Sequence, residues 1–115
     1  MKTVCFRVQL QKGAVEGARE WFRTMMERQE EVLESLRNEG AIVESVFLDR
    51  QKDGDFLIYY FKAHNVEKAQ EIFSQSFLSI DVYHRSCWAK YCGEVTSLEL
   101  LLDLDLIEKY GATKP

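Results

Sequence analysis

Residues 3–10 alternate between apolar and polar. Val4, Phe6, Val8 and Leu10 face one way, and Thr3, Cys5, Arg7 and Gln9 face the other. That period of two marks a half-buried strand. From 14 to 38 the period changes. Val15, Ala18, Phe22, Met25, Met26, Gln29, Leu33 and Leu36 recur at steps of three and four, opposite Arg19, Glu20, Arg23, Glu27, Glu30, Glu31 and Glu34. This predicts one amphipathic helix of about seven turns. Gly40 can close it in the left-handed conformation. Two runs rich in β-branched and aromatic residues follow, at 41–49 and 55–63, joined by a polar stretch with an Asp53-Gly54 turn signal. They read as a hairpin. A shorter amphipathic helix is predicted over 66–76, capped by Asn65. Another follows, from a cap at Asp81 to about Cys92. The alternation Leu98, Leu100, Leu102, Leu104 and Leu106 predicts a last strand over 95–106.

The order is β-α-β-β-α-(α)-β. With right-handed crossovers it folds as a four-stranded antiparallel sheet, order 4-1-3-2, with both main helices on one face. This is the ferredoxin-like α+β arrangement, read as a single domain over 1–106 with a C-terminal tail at 107–115. The helices cover only one face. The run Phe56–Phe61 is apolar or aromatic throughout, with Tyr59 and Tyr60 pointing opposite ways, so the open face carries aromatic surface. Such a face marks an interface, and a two-fold homodimer is the commonest closed solution. The alternative is a monomer whose extra helix and tail fold across the open face.

Composition narrows the classes. The chain has 115 residues, 46% of them hydrophobic, enough for one packed domain. With 15 basic and 19 acidic residues its net charge is -4, which argues against a nucleic-acid surface. Arg7 interrupts any signal-peptide core, and no run is long enough to span a membrane. Three cysteines, Cys5, Cys87 and Cys92, form no CxxC motif. They fit a reduced, cytoplasmic protein with small thiols.

The element order, together with Ile42-Val43-Glu44-Ser45-Val46-Phe47-Leu48 and Ile80-Asp81-Val82-Tyr83-His84-Arg85, resembles an uncharacterised branch of the dimeric α+β barrel superfamily, over roughly residues 2–104. That superfamily includes cofactor-independent monooxygenases, haem-degrading enzymes, isomerases, polyketide cyclases and stress-responsive proteins, and fold alone does not choose among them. The resemblance implies a homodimer and a pocket between the open sheet face and whatever covers it.

Candidate chemistry is sparse. His84 lies three residues after Asp81 and next to Arg85, so an Asp-oriented histidine base is one reading and a capped helix start the other. His64, past a strand end, reads as an exposed loop residue. Arg7 and Glu44 are charges inside apolar strands. They either pair or rim an interface, or they serve a ligand, Arg7 holding an anion and Glu44 acting as base. Tyr59, Tyr60, Tyr83 and Trp88 either pack the core or line a pocket for an apolar or aromatic small molecule. Trp21, near the edge of the first helix's apolar face, is a candidate interface anchor. No GxGxxG, P-loop, GxSxG or HExxH motif is present, so no cofactor is implied. Two separated histidines make a dedicated metal site unexpected. His84 is a conceivable haem ligand, but the Asn-Trp-His set of the haem-degrading relatives is not recognisable. The expectation is a small-molecule-binding homodimer of monooxygenase, isomerase or cyclase type. The alternative is a non-enzymatic structural or stress-responsive dimerisation module.

Overall fold

The computed structural model describes residues 1–111. Strands β1 (Lys2–Leu10), β2 (Ala41–Gln51), β3 (Gly54–Ala63) and β4 (Cys92–Ser97) form one antiparallel sheet in the order β2-β3-β1-β4. This is the order expected from the sequence. Strands β2 and β3 turn back at Lys52-Asp53, with Gln51 opposite Gly54. Alternation then decides the faces. Phe6 and Val8 of β1 stand opposite Tyr59 and Leu57 of β3, and this side meets the helices. Arg7 and Cys5 stand opposite Ile58 and Tyr60 on the open side.

The helical layer differs from the expectation. The long helix is two: α1 (Val15–Glu27) and α2 (Gln29–Glu39), broken at Arg28, whose φ of -107° and ψ of 34° leave the helical region. The Arg28 guanidinium holds Glu31 through two 2.7 Å hydrogen bonds and reaches Ser79 Oγ at 3.1 Å, tying the break to the next helical layer. The break shifts the buried face. Leu33 and Met26 are exposed, and the buried positions in α2 are Ser35, Leu36 and Glu39. Gly40 ends α2 in the left-handed conformation (φ 71°), as its sequence position implies.

Helix α3 (Val66–Gln75) starts at Asn65, whose side chain accepts the Lys68 N–H at 3.0 Å. Helix α4 (Ser79–Tyr91) starts earlier than expected, with Leu78 at its N-cap. Asp81 is therefore not a cap: it lies inside the first turn, buried. Gly17 of α1 faces the Tyr91 ring so closely that a Cβ would overlap it, so the glycine sets the α1–α4 approach. Core residues Val8, Leu10, Trp21, Leu57 and Ile80 join sheet to helices.

The last strand is shorter than its leucine pattern suggests. β4 stops at Ser97, and Leu98 N–H to Cys5 O is the final backbone bond to β1. Leu100, Leu101, Leu102 and Leu104 are exposed. Alternation makes a face fit for burial, but no neighbouring strand pairs this segment. A short helix, α5 (Leu106–Tyr110), follows. It anchors to the open face at Lys62, which is 2% exposed and bonded to Asp105 at 2.5 Å and Glu108 at 3.1 Å. Residues 112–115 of the expected tail lie outside the described residues. Cys5, Cys87 and Cys92 are all free thiols.

Candidate functional site

A cavity of about 420 Å³ lies between the helices and the covered sheet face. The expectation placed a pocket on the open face; this cavity is on the covered one. Only the short α5 sits against the open face, at Lys62, whereas α1–α4 cover the other. Of the residues singled out from the sequence, Glu44, Tyr59, Asp81, His84, Arg85 and Trp88 line the cavity. Arg7, Tyr60 and Tyr83 do not. Arg7 is exposed on the open side, its guanidinium 4.4 Å from the centre of the Phe56 ring, and it does not pair with Glu44. His64 is exposed after β3.

His84 is 6% exposed, and both its ring nitrogens are engaged. The Trp21 indole N–H donates to Nδ1 at 3.0 Å. Indole nitrogen only donates, so Nδ1 carries no proton and neutral His84 holds its proton on Nε2. Nε2 lies 2.7 Å from the Tyr59 hydroxyl, which in turn lies 2.6 Å from Glu44 Oε2. The chain therefore runs one way: His84 Nε2–H donates to Tyr59, and Tyr59 O–H donates to Glu44. Burial, then the Glu44 charge, push the Tyr59 hydroxyl well above its ordinary range, so it stays protonated. For Glu44, burial opposes the charge, yet the contacts with His84 and Tyr59 outweigh it and leave the carboxyl below its ordinary range. The Asp81–His84 hydrogen bond anticipated from their spacing is not made.

Asp81 belongs to a second cluster. The Ser35 hydroxyl lies 2.6 Å from Asp81 Oδ1 and 2.7 Å from Glu39 Oε2. A hydroxyl has one proton to give, so two such contacts require one carboxyl to be protonated and to donate to Ser35. Glu39 is that group. Burial raises its carboxyl from 4.5 to about 7, with help from the charges of Glu44 and Asp81, while the hydrogen bond that Ser35 donates to the ionised form pulls the other way. The cavity thus holds an acid that titrates near neutrality beside a carboxylate, the arrangement acid–base chemistry needs.

Arg85 spends its charge on structure. Its guanidinium donates to the Phe73 and Ser76 carbonyls at 2.6 and 2.7 Å, closing the end of α3. Trp88 packs at 5.6 Å from the Tyr59 ring and edge-on to Trp21 at 6.3 Å. Sequence reading missed Ser35, Glu39 and the inward role of Trp21, which is buried rather than an interface anchor. The signal was present as Val32, Ser35, Leu36 and Glu39, an apolar-polar stripe at helical spacing, but it is visible only if the helix breaks at Arg28. Among the described residues no three His, Cys, Asp or Glu side chains are grouped to hold a metal ion, and no helix is long and apolar enough to cross a membrane.

The four-stranded antiparallel sheet with its helices on one face is the ferredoxin-like fold. Two solved structures share this fold. An L-rhamnose mutarotase from Formosa agariphila matches with a TM-score of 0.63 at 14% identity, over 91% of this chain and 100% of that one. A protein described as an antibiotic biosynthesis monooxygenase from Nitrosomonas europaea matches with a TM-score of 0.55 at 13% identity, over 89% of this chain and 100% of that one. No curated protein matches the chain in sequence. The chain belongs to the Family of unknown function (DUF6176), whose model matches residues 1–109.

Proposed function

We propose that the protein is a homodimeric isomerase of the proton-transfer type, acting on an uncharged, hydroxylated small molecule such as the cyclic hemiacetal of an aldose. The observation that carries this reading is the Glu39–Ser35–Asp81 cluster in the cavity wall. Ring opening of a hemiacetal needs one group to take the anomeric hydroxyl proton and another to protonate the ring oxygen as the carbon–oxygen bond breaks. Asp81 serves as the base and Glu39 as the acid. Closure on the other face of the aldehyde returns both protons. His84, with both nitrogens engaged, positions Tyr59 and Glu44 rather than acting as the base. The aromatic walls suit the apolar face of a sugar ring. The mutarotase fold relative is in keeping with this choice.

Cofactor-free oxygenation fits less well. It needs a substrate anion held by a cation, and here Arg7 lies on the far face while Arg85 is bound to carbonyls. A purely structural module would leave a cluster of carboxyls in a cavity without a use. The dimer reading is supported by Phe47, 62% exposed on the open face, and by the exposed leucines after β4. The test is polarimetry of freshly dissolved L-rhamnose and D-glucose with the wild-type protein, Glu39→Gln and Asp81→Asn. Accelerated anomerisation by the wild type, lost in both variants, is expected. Acceleration of neither sugar, or full activity in Glu39→Gln, would overturn the reading.

A further inference from the structure

We infer that the site continues into a second, apolar subsite that takes the hydrocarbon tail of an elongated ligand whose hydroxylated head sits at Ser35. The inference rests on the acid–base reading of the first cavity and extends it. A second cavity of about 260 Å³ adjoins the first and shares Met25, Val32, Glu44 and Tyr59 as a common wall. Polarity is divided unequally between them. The first holds Ser35, Glu39, Asp81, His84 and Arg85, whereas the second adds Phe22, Met26, Leu33, Leu36 and Val46, with Gln29 as its one further polar residue. A polar end and a mostly apolar end, with the adaptable Met25 and Val32 beside Glu44 and Tyr59 in the wall between them, match a ligand with the same division. The break at Arg28 produces this layout, because it turns Leu33 out to the mouth of the second cavity while Ser35 and Glu39 stay inside. The head is uncharged or cationic, since Glu44 and Asp81 face it and the one arginine in the wall is already bonded to carbonyls.

The test compares binding of butane-1,2-diol, octane-1,2-diol and octanoate by calorimetry. The long diol is expected to bind on the order of a hundredfold more tightly than the short one, from the methylenes it buries. Octanoate is expected to bind more weakly than the long diol. In Leu33→Asp, at a position 41% exposed, the long diol should fall to the affinity of the short one while the short one is unchanged. Equal affinity of the two diols, or a chain-length advantage that survives in Leu33→Asp, overturns the tail subsite. So does a Leu33→Asp effect confined to dimer dissociation, because the groove would then belong to a second copy. Anomerisation lost in Glu39→Gln is read separately, so the acid–base reading and the tail subsite fail by different results.

Discussion

The two faces of the sheet are built from alternate residues of the same strands, yet they have opposite fates. On the covered face, Glu44 and Tyr59 point into a cavity where Ser35, Glu39, Asp81 and Arg85 also have specific partners and His84 is locked between Trp21 and Tyr59. On the open face, Arg7 lies over Phe56, Phe47 is bare, and the one buried charge of its strands is Lys62, held by Asp105 and Glu108. Charge in a strand is therefore no guide to function until its face is known. Arg7 and Glu44 look alike in the sequence, and only Glu44 reaches the cavity.

The contrast can be broken by substitution. His84→Ala should have the largest effect, destabilising the fold by about 3 kcal/mol or more, because it opens a hole and leaves the Trp21 N–H without an acceptor. Urea denaturation measures it, and a loss under about 1 kcal/mol would show that the locked chain adds little. Gly17→Ala comes next. The overlap with Tyr91 exceeds the gain in helix propensity, so a net loss of about 1 kcal/mol is expected in the same assay. A net gain would mean that the α1–α4 contact yields freely.

Acidity gives a third, smaller effect. Glu39 binds its proton more tightly folded than unfolded, since its folded value is about 7 against 4.5. Its stabilising contribution is then complete below the unfolded value and is lost as pH rises through about 7. Wild-type melting temperature should fall by several degrees across that window, and Glu39→Gln should flatten the fall. A wild-type curve no steeper than that of Glu39→Gln contradicts the assignment. Arg7→Ala should have the least effect, about 0.5 kcal/mol from the lost stacking on Phe56. A loss comparable to that of His84→Ala would erase the distinction between the faces.

Much of the fold was legible because its signals are local. The alternation at Val4–Leu10, the Asp53-Gly54 turn and the left-handed Gly40 each fix an element without distant help. The misreadings share a different cause. The break at Arg28 depends on contacts to Glu31 and to Ser79, the latter remote in sequence, and without it the inward turn of Ser35 and Glu39 is invisible. The leucines after Ser97 alternate like a strand, but bonding to β1 ends at Leu98. Asp81 and His84 are close in sequence, and the aromatic and hydroxyl groups that claim each of them come from α1, α2 and β3. Sequence proximity named the right residues for the cavity and the wrong bond between them.

The acid–base site turns on one carboxyl. Carbon-13 NMR titration of the Glu39 side chain in the intact protein tests it most directly. Titration near 7 is the predicted result, moving toward the ordinary value in Asp81→Asn, where one neighbouring charge is gone. Titration of the wild-type group near 4.5 would mean that Ser35 joins no protonated acid to Asp81, and the acid–base site would be contradicted.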